Sequence, residues 1–253
     1  MNYRVIIPAR HASVRLPGKP LRELAGRTML EHVYRRACQS GAREVIIATD
    51  DARIADAAEG FGAEVCMTAD SHNSGTERLA EVVSLRGFDD EDIIVNLQGD
   101  EPLMPAACIE QVAEALHAHP DTQVSTLCAR TEDHEALFDP NVVKVVRDSR
   151  DYALYFSRAP IPWCRGCFDL EPPQPSSDAV HYRHIGLYAY RAGYIKTYVA
   201  QSRAMLEEAE SLEQLRVLWH GGRIIVPEAV EIPGPGIDTE ADLKKVEALL
   251  LNY

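Results

Sequence analysis

A chain of 253 residues with 46% hydrophobic side chains has enough apolar material for a sizeable core, burying about three quarters of the surface its unfolded form exposes. Its 39 Asp and Glu against 26 Lys and Arg give a formal net charge of −13, which argues against bulk nucleic-acid binding, because that relies on an extended basic surface. The apolar stretch ending at Ile7 is too short for a signal peptide and is followed by Pro8, and no run approaches a membrane span, so a cytoplasmic protein without membrane insertion is expected.

Tyr3 to Ile7 is a β-branched run that reads as a buried first strand. The loop after it, from Pro8 to Pro20, reverses the charge balance: residues 1 to 22 hold Arg4, Arg10, Arg15, Lys19 and Arg22 and no acid. Cations leaving the carboxyl end of a strand in an open α/β sheet point to an anionic ligand, with phosphate the natural guest. Pro8, Pro17, Gly18 and Pro20 restrict the backbone that carries them, which weakens the alternative of a solvated basic loop. A Walker loop is excluded by Ser13 and Pro20, which stand where its first glycine and its Ser or Thr belong, and no G-x-G-x-x-G follows the strand.

Short apolar runs then alternate with amphipathic segments, the sign of a mostly parallel sheet with crossover helices. Glu44 to Ala48 and Asp92 to Asn96 read as strands, and Met29 to Gln39, Ala52 to Gly60, Thr76 to Leu85 and Pro105 to His117 as helices, the proline suiting a first turn. Val124 to Cys128, Val142 to Val146 and Tyr152 to Phe156 continue the sheet. A proline-rich stretch from Pro160 to about Tyr182 breaks the rhythm, within a capping or dimerisation excursion expected at about 130–200 of a single domain spanning 1–253.

In Ile185 to Tyr190 the apolar positions 185, 187 and 189 share one face, leaving His184, Gly186, Tyr188 and Tyr190 on the other. A helix is expected from about Leu206 to His220, with Leu212, Leu215 and Trp219 as its apolar stripe and Glu210 and Gln214 one turn apart on another face. A last helix from Thr239 to Leu251 packs Leu243, Val246, Leu249 and Leu250, capped by Asp238 or Thr239. Six scattered cysteines in a chain of this size are expected to be reduced thiols, with Cys38, Cys66, Cys108 and Cys128 packing as small apolar residues. Cys164 and Cys167 form a C-x-x-C with His181 and His184 downstream, but the histidine spacing and the intervening Pro-rich segment disfavour zinc.

Seven blocks carry a family likeness: the first loop, Asn73-Ser74-Gly75-Thr76-Glu77-Arg78, Asn96-Leu97-Gln98-Gly99-Asp100-Glu101-Pro102, Tyr155-Phe156-Ser157-Arg158-Ala159, Arg183-His184-Ile185-Gly186-Leu187-Tyr188, Glu213-Gln214-Leu215-Arg216 and Pro235-Gly236-Ile237-Asp238-Thr239. In this order and spacing the chain resembles the 3-deoxy-manno-octulosonate cytidylyltransferases of lipopolysaccharide biosynthesis. His11 and Val14 depart from the family's usual residues, but neither position supplies a charge. The resemblance implies an α/β, Rossmann-like three-layer sandwich with a mostly parallel, mixed central sheet of the nucleotide-diphospho-sugar transferase type. It also implies a homodimer, CTP and Kdo as substrates, and Mg²⁺ as cofactor.

By the same resemblance, Asp100 and Asp238 are metal ligands, whereas taken singly they read as a turn acid and a helix cap. Arg10, Lys19, Asp100 and Asp238 are the expected catalytic set. CTP is assigned to Ala9, Arg10, Arg15, Lys19, Ser74, Gly75, Thr76, Arg78 and Gln98, and the acid sugar to Gln98, Arg158, His184, Tyr188, Glu210 and Gln214. Arg158 could meet the sugar carboxylate as a bidentate fork or serve as an ion pair at the sheet edge. Rival readings are a cytidylyltransferase for 8-amino-Kdo or a sialic acid, and a nucleotide-binding regulatory protein without turnover.

Overall fold

Alternation along the first strand decides the layering. Val5 and Ile7 enter one apolar cluster with Leu30, Val33, Ile109 and Val112, while Ile6 enters a second with Leu79, Val82, Val83 and Ile195. Helices therefore cover both faces of the sheet that contains this strand. The computed structural model describes residues 1–12, 16–72, 74–170 and 180–251.

In chain order the strands are β1 (Tyr3–Ala9), β2 (Glu23–Leu24), β3 (Arg27–Thr28), β4 (Glu44–Thr49), β5 (Glu64–Met67), β6 (Ile93–Asn96), β7 (Val124–Thr131), β8 (Lys144–Arg147), β9 (Ala153–Ser157), β10 (His181–Arg191) and β11 (Ile224–Ile225). The helices are α1 (Met29–Gln39), α2 (Ala52–Gly60), α3 (Gly75–Arg86), α4 (Ala106–Ala118), α5 (His134–Phe138), α6 (Ala192–Ala200), α7 (Met205–Glu210), α8 (Gln214–Trp219) and α9 (Glu240–Leu250), with a 3-10 turn at Lys19–Leu21. The main sheet runs β11-β7-β10-β6-β1-β4-β5, with β8 and β9 attached beside β10. Strands β6, β1, β4 and β5 are parallel, and β10 is antiparallel to both β6 and β7. The alternating pattern predicts the parallel core with its crossover helices, and the mixed three-layer α/β sandwich is the one that the family resemblance implies.

The parallel core places the carboxyl ends of β1, β4 and β6 on one edge, so the loops after Ala9, Thr49 and Asn96 converge there. A third, smaller cluster of Leu16, Leu24, Met29, Leu103, Ile237, Leu243 and Val246 fastens α9 beneath the first loop. The antiparallel β8 and β9 extend the sheet through pairing of Val145 with Tyr182 and of Val145 with Phe156.

Several expectations change. The helix from 206 to 220 is broken: Ser211 takes a left-handed φ of 51°, ending α7, and α8 starts at Gln214. Trp219 then falls at the end of a short helix and is 50% exposed, so Leu212 and Leu215 carry the buried stripe without it. Leu249 is exposed, since only Leu243 and Val246 of α9 are fully buried against the third cluster. Pro105 is the N-cap residue of α4 and lies just before its first turn. Cys38 is exposed near the end of α1, unlike the buried Cys66, Cys108 and Cys128.

Candidate active site

The convergent loops enclose a cavity of about 700 Å³ bordered by Ala9, Arg10, Lys19, Gln98, Asp100 and Asp238, with His72, Ser74, Gly75, Arg78 and Glu213 on the facing wall. Two glycines set the backbone here. Gly18 has a φ of +66°, in the left-handed region, which turns the chain into the 3-10 segment that delivers Lys19. Gly99 brings the turn after β6 against the first loop, where a Cβ would stand only 3.1 Å from the Pro8 carbonyl oxygen.

Lys19 is the centre of the charge arrangement. Its Nζ donates to Asp100 Oδ2 at 2.6 Å and to Asp238 Oδ1 at 3.1 Å, joining loops 81 and 219 residues away. The lysine is only 9% exposed, whereas the side chains of Asp100 and Asp238 are 37% and 51% exposed and open to the cavity. Behind them, burial and then the neighbouring Asp100 push the Glu101 carboxyl up to about 8, so near neutral pH it adds little further negative charge.

Asp238 is not the cap of the last helix. Thr239 caps α9, accepting from Asp242 N–H, while Asp242 Oδ2 accepts from the Asp238 and Thr239 N–H groups in return. This leaves the Asp238 carboxylate turned toward Lys19.

The basic character of the first 22 residues is partly answered from within the chain. Arg4, at the opposite end of β1 from the cavity, pairs with Glu44 and Asp92, and Arg22 pairs with Glu240. Arg10 lies exposed at the cavity, and Arg15 lies outside the described residues.

On the facing wall, Ser74 caps α3 by accepting from Glu77 N–H at 3.2 Å, and Gly75 packs close to Pro8 and Gln98. Arg78 is buried, donates to Thr68 Oγ1 and lies 3.2 Å from Asp50 Oδ1. Gln98 donates to Asn96 Oδ1 at 3.3 Å, which orients its amide at the cavity floor. Thr76, behind this wall, donates to Glu213 Oε2 at 3.2 Å.

The structure separates the residues expected for the acid sugar. Of that set only Gln98 borders the cavity; Arg158, His184, Tyr188, Glu210 and Gln214 do not, and the Glu210 carboxylate accepts from Ser157 Oγ at 2.6 Å and from Arg158 N at 2.9 Å. The Arg158 guanidinium donates to the carbonyls of Glu210, Pro140 and Ser211, which uses three of its five N–H groups. The break between α7 and α8 is the reason, because it ends the helical spacing that would place Glu210 one turn from Gln214. Glu213 enters the cavity instead, and burial raises its pKa against the opposing hydrogen bond from Thr76. That residue belongs to the Glu213-Gln214-Leu215-Arg216 block, so the signal was present in the sequence. Gln214 is buried, and its Nε2 has no hydrogen-bond partner among the described residues.

His184 and Tyr188 project from one face of β10, their rings 5.4 Å apart, with Phe156 edge-on to the imidazole. Thr126 Oγ1 lies 2.9 Å from His184 Nε2 and within 3.0 Å of the carbonyl oxygens of Ile185 and Leu187. One hydroxyl proton directed to these carbonyls leaves the oxygen to accept, so Nε2 carries the imidazole proton. Burial lowers the His184 pKa to about 3. Unfolded histidine titrates near 6.5, so between these values the unfolded chain binds more protons: the stability is present in full above the upper value and is lost as pH falls through the window. His184→Gln, which stays neutral, is therefore expected to show a smaller fall in Tm than the wild type between pH 7 and pH 4.5. Parallel slopes in thermal unfolding would refute the buried neutral imidazole.

Cys164 and Cys167 are partly buried in a turn closed by Cys167 N–H to the Cys164 carbonyl. His181 contacts the Pro162 carbonyl and stacks on Phe168, so neither histidine of the proposed zinc pattern is directed at the thiols. Changing both Cys164 and Cys167 to Ser is expected to leave turnover and metal content nearly unchanged. Elemental analysis and activity check this, and loss of stoichiometric zinc would contradict it.

A nucleotide-sized cleft at the carboxyl edge of the parallel strands, with a buried ammonium held between two carboxylates, suits the transfer of a phosphorylated group. The Cytidylyltransferase family model matches residues 4–225, and the chain is a nucleotidyltransferase of the cytidylyl class. The 3-deoxy-manno-octulosonate cytidylyltransferase of Nitrosococcus oceani is 54% identical over 99% of this chain and 97% of its own length, and that of Pasteurella multocida is 55% identical over 98% of each. A solved CMP:2-keto-3-deoxy-manno-octonic acid synthetase complexed with CTP superposes with a TM-score of 0.90 at 42% identity, covering 100% of this chain and 99% of that one. The chain belongs to the 3-deoxy-manno-octulosonate cytidylyltransferase family. A cytidylyltransferase from Leptospira borgpetersenii, 16% identical with a TM-score of 0.64, shares the fold.

Proposed function

We propose that this chain transfers CMP from CTP to the anomeric 2-hydroxyl of 3-deoxy-D-manno-octulosonate, Kdo, with release of pyrophosphate. The observation that carries the reading is Lys19 set between Asp100 and Asp238 in the cleft, in a chain whose relatives bear that enzyme's name over almost their whole length. The sugar oxygen forms a bond to the α-phosphorus as the bond from that phosphorus to the pyrophosphate oxygen breaks. No covalent enzyme intermediate is needed, so positioning and electrostatic stabilisation supply the rate.

Asp100 and Asp238 meet at the Lys19 ammonium and are partly exposed at the cavity, and two such carboxylates suit a hard divalent ion whose remaining ligands are water and phosphate oxygens. Asp100 and Asp238 would hold Mg²⁺, which when bound supplies positive charge against the triphosphate and the departing pyrophosphate. Lys19 and Arg10 supply fixed positive charge to the same phosphates, with Arg15 assigned beside them. Ala9, Ser74, Gly75, Thr76, Arg78 and Gln98 are assigned to CTP. Gln98, His184, Tyr188 and Gln214 are assigned to the sugar, supported by the unpartnered amide of Gln214. Arg158 and Glu210 act on the sugar pocket by bracing its wall through the bonds they make to each other's backbone.

A cytoplasmic homodimer belongs to the same reading. Leu154, Trp163 and Leu170 are exposed large apolar side chains on β9 and the segment after it, which supports a contact there, and among the described residues no helix is long and apolar enough to cross a membrane. Sedimentation would measure the dimer directly.

The deciding assay is pyrophosphate release with a panel of nucleoside triphosphates against Kdo, 8-amino-Kdo and a sialic acid. Selective release with CTP and Kdo is expected. Preference for another acid sugar would redirect the substrate assignment, and no release with any pair would favour a regulatory nucleotide-binding protein.

A further inference from the structure

His72 lies on the cavity wall next to the nucleotide-facing Ser74, Gly75 and Arg78, yet none of the roles above uses it. It sits in the loop that leads from β5 into α3, and its orientation is set from inside that helix. Glu81, in the second turn of α3, turns its Oε2 back toward the loop, 2.5 Å from His72 Nε2 and 2.8 Å from Ala69 N, whose N–H it accepts. The two side chains are only 19% and 29% exposed, so the contact is largely sheltered from solvent.

The chemistry of the pair fixes the ring. A carboxylate accepts and cannot donate, so Nε2 carries the proton directed at Glu81. His72 and Ala69 hold the Glu81 carboxyl below its ordinary range, which keeps it ionised and accepting near neutral pH. In the neutral imidazole, Nδ1 is then the acceptor, and it is the ring nitrogen not spent on Glu81. Arg10 and Lys19, the cations assigned to the phosphates, belong to the first loop, whereas His72 shares its segment of the lining with Ser74, Gly75 and Arg78. An acceptor on that wall suits a hydrogen-bond donor of a nucleoside: a ribose hydroxyl or the exocyclic amine of cytosine.

We propose that His72 is a specificity-determining residue, accepting through Nδ1 from a donor group of the bound nucleoside, and that Glu81 is its positioning residue. This rests on CTP being the nucleotide. The carboxylate acts through the imidazole, fixing both its tautomer and its place on the wall, in the manner of a carboxylate that orients a ligand-binding histidine.

The test compares wild type, His72→Ala, His72→Asn and Glu81→Ala with CTP, 2′-deoxy-CTP, 3′-deoxy-CTP and UTP, by calorimetric binding and by steady-state turnover with Kdo. Wild-type binding and turnover of CTP are measured first, and their absence would overturn the proposed activity before His72 is judged. His72→Ala is expected to raise KM for CTP about tenfold while kcat and the Kdo KM change less than twofold. Its selectivity should collapse against one analogue: against a deoxynucleotide if the ring reads the ribose, or against UTP if it reads the amine. Asparagine, whose amide oxygen can stand close to Nδ1, should recover CTP binding to within about threefold of wild type. Glu81→Ala should weaken CTP binding without adding to the loss when His72 is already alanine, since both act through one contact.

A purely structural role for the pair would lower Tm and affect both substrates while leaving the analogue ratios intact, and that result overturns the proposal. Unchanged CTP affinity in His72→Ala overturns it as well. If His72→Ala does not fold, the analogue ratios of His72→Asn and Glu81→Ala decide: wild-type ratios in the Glu81 variant would exclude its positioning role.

Discussion

Lys19→Met is expected to fold normally and to lose roughly two to three orders of magnitude in turnover, the scale for removing one preorganised charge stabiliser from a transition state. Methionine matches the length of the buried stem, so the 3-10 turn keeps its packing. Removing the ammonium leaves Asp100 and Asp238 facing the same space, but both remain open to water, and solvent screening limits their repulsion. Stability therefore changes little. At the reacting phosphate the loss is larger, because the replaced charge was already oriented and no reorganisation was needed to use it. Pyrophosphate release at saturating CTP and Kdo, with thermal unfolding of the same preparation, separates the two effects. Wild-type turnover in a folded Lys19→Met protein would remove Lys19 from the catalytic set.

What could be read beforehand follows the range of the forces involved. Helix α1, which begins and ends where its apolar period and capping Thr28 dictate, was legible because those signals are local. Helix α2 was legible for the same reason, with Asp51 accepting at its start. Strands β2, β3 and β11, each two residues long, had too little periodicity to register, and β11 depends on pairing with β7 across about 100 residues of chain. In the site, Lys19, Asp100 and Asp238 were visible as separate motifs, but their meeting point is a tertiary fact. The one-turn spacing expected between Glu210 and Gln214 was not legible because a single left-handed residue, Ser211, redirects the chain between them. Glu81 was invisible because its importance lies in reaching back across a loop to His72, and no short-range spacing encodes that contact.

The sharpest separation of cap from ligand comes from a crossed pair of substitutions at neighbouring positions. Thr239 performs the capping: its Oγ1 accepts from Asp242 N at 3.3 Å, and Asp242 Oδ2 closes the box on Thr239 N at 2.9 Å. Thr239→Ala should cost about 1 kcal/mol, typical of a lost N-cap, and lower Tm by about 2–4 °C in a chain of this size while turnover stays near wild type. Asp238→Asn should do the reverse. Its Oδ1 can still accept from Lys19, and its backbone N–H still donates to Asp242, so folding and Tm are preserved. The amide nevertheless carries no charge, and one of only two carboxylates for a hard divalent ion is gone. Turnover should fall severely and the Mg²⁺ concentration for half-maximal rate should rise. The assay titrates Mg²⁺ at saturating CTP and Kdo for all three proteins, alongside unfolding without ligand. If Asp238→Asn keeps both the wild-type rate and the wild-type Mg²⁺ requirement, the ligand assignment fails, and the carboxylate near Lys19 is an ion pair holding two loops together.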